Sequence, residues 1–409
     1  MKTGNWARSF TSSAMFLAGF LALCGLAGCA NFWQAPATAT SGGCTTNCTT
    51  ASSGNFYILN SSTNGGTSQV IGESIVAGKL TELTGSPYSV PSTPFAMAID
   101  PTGSYLYVST QNGIYLYTVT SSTGVLSTTP TLLGFQDIQA QAIAVDPTGS
   151  WLLDASLSGN LYAIPLNSSG LLDTTRLINS QPPSQPLGAT TAQQGGIAIA
   201  PSSQLISVAI GSTGTVLFPF TAANASPIGT AYSPVIHPYT TSGASVAVAF
   251  DPQSRYLYVG ETAAFPNATS NTGGLRAFSI GSGSLTEFSY TAPYASGGTS
   301  PFAIQPKSTG DYVYVANGEG SGTGNITGFQ VITTGTSPSL SAQGSPATAG
   351  TVPAGLAEDN TKTFLLEVNK NGSPYLDTYT FDASTAGLLD VQIVANTGAT
   401  PIAIVAAPL

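Results

Sequence analysis

Few side chains in this chain can do acid–base chemistry. His237 is its one histidine, and beyond Arg8 its arginines are Arg176, Arg255 and Arg276. The polar residues best placed to form a site stand at or just beyond the ends of short β-branched and aromatic runs: Asn60, Asp154, Glu261, Asn317, Glu319 and Asn369. Two of these carboxylates could serve as general acid and base, or could hold a divalent cation together with the Asn amides. They read as solvated loop residues before they read as a site, because acids are common at loop starts and no spacing among the six is diagnostic. His237, between Ile236 and Pro238, reads as a loop-packing or surface residue before it reads as a base.

The elements that would position these side chains are strands. Pro94 to Thr110, PFAMAIDPTGSYLYVST, reads as strand, tight turn, strand, with Asp100-Pro101-Thr102-Gly103 supplying the turn. Relatives of that turn align at Asp100, Asp146, Ala200, Asp251, Gln305 and Asp359, 46 to 54 residues apart. A period near 50 with β content signals a propeller, one four-stranded blade per repeat. In the first strand of each repeat, small residues such as Ala96, Ala98, Ala142, Ala144, Gly196, Ala198, Ala247 and Ala249 suit blades converging on an axis. The Asp of each turn is expected to accept backbone N–H bonds rather than to catalyse.

The two ends complement each other. Phe56-Tyr57-Ile58-Leu59 matches the second strand of a repeat with no first strand before it, while Pro401 to Pro408 matches PFAMAIDP and is followed by one residue. Joining them gives an all-β, seven-bladed β-propeller over residues 55–409, closed by strand exchange between the N- and C-termini. Turns between strands 1 and 2 and between strands 3 and 4 share one face and are short. The other face carries the long connections, Asn179 to Gly195, Pro227 to Ala244, Glu261 to Gly274 and Asn317 to Asn325, and is the expected functional face, with the six polar residues nearest the channel mouth.

Before the repeats lie two other segments. Residues 1–28 carry Lys2 and Arg8, the apolar run Met15 to Leu23, and Leu26-Ala27-Gly28 ahead of Cys29, the layout of a secretory signal too short to span a bilayer. Leu-Ala-Gly-Cys resembles the lipobox of bacterial lipoproteins, which implies acylation of Cys29 and anchorage in the cell envelope; Ala30 after it permits the outer membrane. Residues 29–54, rich in Ser, Thr, Ala and Gly, read as a tether of roughly 25 to 30 Å reach. Cys44 and Cys48 within it suit a local disulfide in an oxidising compartment, with free thiols as the alternative.

Charged residues make up 7% of the chain and the formal charge is −9; removing Lys2 and Arg8 with the leader makes it −11. Clustered cations are absent, which argues against nucleic acid as a partner. A monomer is expected.

Asp-Pro-Thr-Gly-Ser-Tyr-Leu-Tyr-Val at 100 to 108, Gly85-Ser86-Pro87-Tyr88 and Tyr-Val-Ala-Asn at 314 to 317 resemble the lactonase-type seven-bladed propellers, the 6-phosphogluconolactonase-like and YVTN-repeat proteins. For the enzymes of that group the resemblance implies a pocket at one end of the channel using basic and acidic side chains, often His and Arg. This chain departs from it, with one His and three Arg beyond the leader. A phosphorylated sugar lactone needs converging cations, and seven basic residues (9 − 2) spread over seven blades supply few. The expectation is therefore a lipid-anchored propeller that binds a protein, glycan or small molecule, with lactone hydrolysis as the alternative.

Overall fold

The computed structural model describes residues 54–408, apart from 63–66, 77–78, 137, 190–191, 194–195, 266–271, 282–283, 290–291, 320–321, 336, 372–374, 383–387 and 396–399. Cys29, Cys44 and Cys48, with the leader and tether, lie outside the described residues. The strands form seven antiparallel sheets, one per repeat, and make a seven-bladed propeller. Blade 2 shows the pattern: Pro94–Ile99 innermost, then Tyr105–Thr110, Gly113–Thr118 and the short Thr131–Leu132.

Blade 1 is closed as the ends require. Pro401–Ala406 pairs antiparallel with Gly54–Asn60, setting Ile58 opposite Ile404 and Leu59 opposite Ala403. Phe56 and Ile58 pack into the seam with blade 7, while Tyr57 and Leu59 pack into the seam with blade 2. Both seams adjoining the closure thus depend on this pairing.

The Asp-Pro turns are structural. Asp100 accepts the N–H groups of Ser104 and Tyr105 on one oxygen and that of Thr102 on the other, and Asp146 and Asp359 repeat the arrangement. Gly103 and Gly149 turn the chain through positive φ; Ser203, Ser254 and Lys362 adopt the same left-handed conformation. In blade 6 the aligned position is corrected from Gln305 to Lys307, whose N–H bonds the Tyr312 carbonyl just as that of Asp100 bonds Tyr105. Pro306, which imitates Pro101 of the opening turn, displaced the alignment by two residues, and Ser308-Thr309-Gly310 is the true counterpart of Pro101-Thr102-Gly103.

Four strands per repeat fails at blade 4, whose sheet contains Ile197–Ile199, Leu205–Ala209 and Thr215–Pro219 only. Pro227, Pro234 and Pro238 remove ladder donors from the segment where a fourth strand would run. That segment instead crosses strand 3 with separate hydrogen bonds, from Gly229 to Pro219, Tyr232 to Leu217 and Ile236 to Thr215.

Candidate functional site

Each innermost strand enters from the face of the long connections, and near that entry its register slips. Among the described residues, six blades carry a bulge that leaves one residue of strand 1 unpaired: Phe95, Gln141, Val246, Phe302, Ala354 and Ile402. A bulge re-aims the side chain of the extra residue. Phe95, Val246, Phe302, Ala354 and Ile402 all line a central cavity of about 520 Å³, joined from blade 4 by Gln193. Phe302 is 41% exposed, an unusual state for so large an apolar side chain. Among the described lining residues, Gln193 and Lys370 alone are polar. Main-chain groups supply further polar wall, so the cavity can hold an uncharged molecule with both polar and apolar parts, with one ammonium and one amide to orient it.

The predicted polar residues went elsewhere. Asn60, Glu261, Asn317 and Asn369 sit on the second strands opposite the bulges, and all are buried; none lines the cavity. The expectation that they gather at the channel mouth is corrected: strand parity points them into the seams between blades. Asn317 Nδ2 donates to the Ser296 carbonyl at 2.7 Å and to Asn325 Oδ1 at 3.0 Å, tying the connection from blade 5 to the second and third strands of blade 6. Glu261 accepts the Tyr239 N–H at 2.9 Å and Arg276 Nη1 at 3.0 Å, so its charge is already met. Burial still holds its carboxyl above the usual range, against the opposing pull of Arg276. The side chain of Glu319 lies outside the described residues. Among those described, no three His, Cys, Asp or Glu side chains converge as metal ligands.

Asp154 is the most isolated. It is fully buried on the second strand of blade 3, opposite Ile143, and neither carboxyl oxygen has a hydrogen-bond partner among the described residues. Desolvation pushes its pKa well above the carboxylate range. The same place is Val108, Val259 and Val315 in blades 2, 5 and 6, and Glu367 in blade 7.

Sequence reasoning missed Glu367. It faces Asp377 across the strand pair, and Asn369 Nδ2 donates to both carboxyls, at 2.8 and 3.3 Å. Burial and the neighbouring Asp377 carboxyl raise Glu367; burial raises Asp377. Two buried carboxyls facing each other resist ionising together, which is the direction of both shifts. The alternation Glu-x-Asn in Phe364–Asn371 was the available signal, since period 2 puts both on one face.

His237 is a surface residue, as its neighbours suggested, with Nδ1 3.2 Å from the Thr213 carbonyl. Arg255 pairs with Asp251 and Arg176 lies over Trp151, so neither approaches the channel.

Known proteins of this shape include a candidate 6-phosphogluconolactonase from Bacteroides fragilis NCTC 9343 (TM-score 0.66, 14% identity, covering 88% of this chain and 99% of that one). Another is a candidate 6-phosphogluconolactonase from Bacteroides uniformis ATCC 8492 (0.63, 17%, 87% and 99%). A third is the periplasmic gluconolactonase PpgL of Pseudomonas aeruginosa (0.63, 15%, 87% and 99%). At these identities the likeness shows a common fold. No curated protein sequence matches the chain. The family model for the lactonase, 7-bladed beta-propeller, matches residues 57–405, nearly the whole propeller, and on that match the chain belongs to the lactonase family.

Proposed function

We propose that the protein opens an uncharged lactone held in the central channel. The observation that carries this reading is the charge of the cavity: in a lactonase-family chain, Lys370 is the one charged side chain among its described lining residues, and main-chain polar groups are exposed between the apolar ones. A phosphate group calls for several convergent cations, and one lysine does not supply them. Opening is a hydrolysis in which water adds to the ester carbonyl, the ring C–O bond breaks and the proton of the water ends on the released hydroxyl, so it needs a donor at the oxygen that gathers negative charge. The Lys370 ammonium and the Gln193 amide are the side chains able to give it, with the bulged Phe95 and Phe302 packing the ring or its substituent.

The second reading is a binding module without turnover. It is favoured by the absence of any carboxylate or imidazole among the described lining residues, since hydrolysis at neutral pH needs a base or a metal-activated water. Uncharged sugar and alkyl lactones, offered to wild type and to Lys370→Met and Ala354→Trp variants, separate the two. Turnover lost on filling the channel with Trp supports the enzyme. Saturable binding with no turnover, also lost in Ala354→Trp, supports the module. Turnover unchanged in both variants sinks the channel as the site.

The place of action is the cell envelope, through a lipid on Cys29. Leu26-Ala27-Gly28-Cys29 after the apolar run Met15 to Leu23 supports it. Cys29→Ser is expected to move the protein out of the membrane fraction; retention there, with no acyl mass at the wild-type N-terminus, contradicts the anchor.

A further inference from the structure

Because the blade 4 sheet stops at three strands, a second cavity of about 520 Å³ lies between its outer segment and blade 5. Leu217, Val235, Phe278, Ile280 and Leu285 make its walls apolar. One end is polar. There the nine-tenths buried Arg276 donates Nε and Nη2 to the two oxygens of Glu287, at 2.7 and 2.8 Å. Its Nη1 donates to Glu261 at 3.0 Å and to the His237 carbonyl at 2.8 Å. With both carboxylates ionised the three side chains sum to one negative charge, and the guanidinium is spent on its own partners.

What this end still offers is acceptors. The Thr213 carbonyl can only accept, so the His237 Nδ1 beside it carries the proton in the neutral ring and leaves Nε2 as the acceptor. Each Glu287 oxygen takes one hydrogen bond from Arg276 and keeps a further lone pair. Tyr232, 44% exposed, adds an aromatic face to the rim.

We propose that this cleft binds a small organic cation, an ammonium group on an apolar body. Carboxylate, imidazole acceptor and aromatic face are the partners an ammonium takes, and the cavity has the volume of a small-molecule site. An anion of the same shape would meet the surplus carboxylate with Arg276 already paired. The cleft shares no lining residue with the channel, so it stands whether or not the channel takes a lactone.

The probes are 3-phenylpropylamine and its anionic counterpart 3-phenylpropanoate, titrated calorimetrically into the full-length protein. One-site binding of the amine is expected, with the carboxylate at least tenfold weaker. Glu287→Gln is expected to weaken the amine about tenfold, roughly the value of a charge-assisted hydrogen bond. That change also frees Arg276, so two other variants keep the result interpretable. Tyr232→Ala, at an exposed position, should cost about two- to fivefold in affinity. Leu285→Trp, filling the cleft, should abolish binding while the melting curve shows a folded protein. Equal affinity for amine and carboxylate, no amine binding, or amine binding indifferent to both Tyr232→Ala and Leu285→Trp would overturn the proposal.

Discussion

The central channel and the seams between blades are made by the same repeat, yet they hold opposite chemistry. Strand 1 turns its bulged residue toward the channel, and that residue is Phe95, Val246, Phe302, Ala354 or Ile402, so the side chains there are apolar, Phe302 remaining 41% exposed. Strand 2 turns its polar residues into the seams, and Asp154, Glu261, Glu367 and Asn369 are all buried. This inverts the ordinary rule of apolar inside and polar outside. A large apolar side chain left exposed, as Phe302 is, adds little to the fold, and an unpaired carboxyl in a seam costs it free energy. The channel's composition is accordingly better explained by a ligand than by stability, whereas the seam acids are stability costs unless they are paired.

Closure is where the two regions meet, because Ile402 and Ile404 both border the channel and pack into the seams with blades 2 and 7 respectively. Deleting residues 401–409 removes both and uncovers Phe56 and Ile58. The expected loss is on the order of 5 kcal/mol or more, read by denaturant unfolding. A variant as stable as wild type would break the closure account.

The seam acids should make stability fall as pH rises. Burial, then the charge of Glu82 opposite it in the strand pair, raises Glu73 to about 7. A raised folded pKa means that the folded state holds the proton more tightly than the unfolded one. Stability from this group is then complete below about pH 4.5 and lost progressively up to about pH 7. Glu73→Gln should remove roughly 2 to 3 kcal/mol of the difference between pH 5 and pH 8. A difference as large as in wild type would show that the carboxyl is solvated.

Asp154→Val, which installs the residue of blades 2, 5 and 6, should stabilise the fold by roughly 1 to 3 kcal/mol at neutral pH. Glu367→Val should not, because it strands Asp377 and Asn369 in the seam. If Asp154→Val instead destabilises, the carboxyl is satisfied in the seam and is no stability cost. The smallest effect belongs to the channel: Phe302→Ala should change stability by less than about 1 kcal/mol and weaken ligand retention far more than that, since the ring is 41% exposed.

The repeat, the turn aspartates and the closure were legible in the sequence because they depend on local chemistry. Asp-Pro-Thr-Gly sets its own turn, and the missing strands of the two ends are counted along the chain. The site was not legible, because a bulge changes the parity of a strand without changing its composition. Pro-Phe-Ala at 94–96 and 301–303 and Pro-Ile-Ala at 401–403 look like ordinary alternation. Their shared feature, a proline without an N–H followed by a large residue and a small one, marks the bulge only once the register is known. The Arg276, Glu261 and Glu287 cluster was hidden for a related reason. Its members stand on three strands of blade 5, and only the pairing of Val259 with Arg276 and of Phe278 with Glu287 brings them together.

The central claim is that a channel with one charged side chain among its described lining, in a lactonase-family propeller, selects an uncharged lactone. Its most direct measurement is the ratio of kcat/KM for an uncharged sugar lactone to that for the same lactone carrying a phosphate. The account predicts a ratio well above one, collapsing toward background for both substrates when Ala354→Trp fills the cavity. A ratio well below one, with phosphorylated turnover surviving Ala354→Trp, would contradict it.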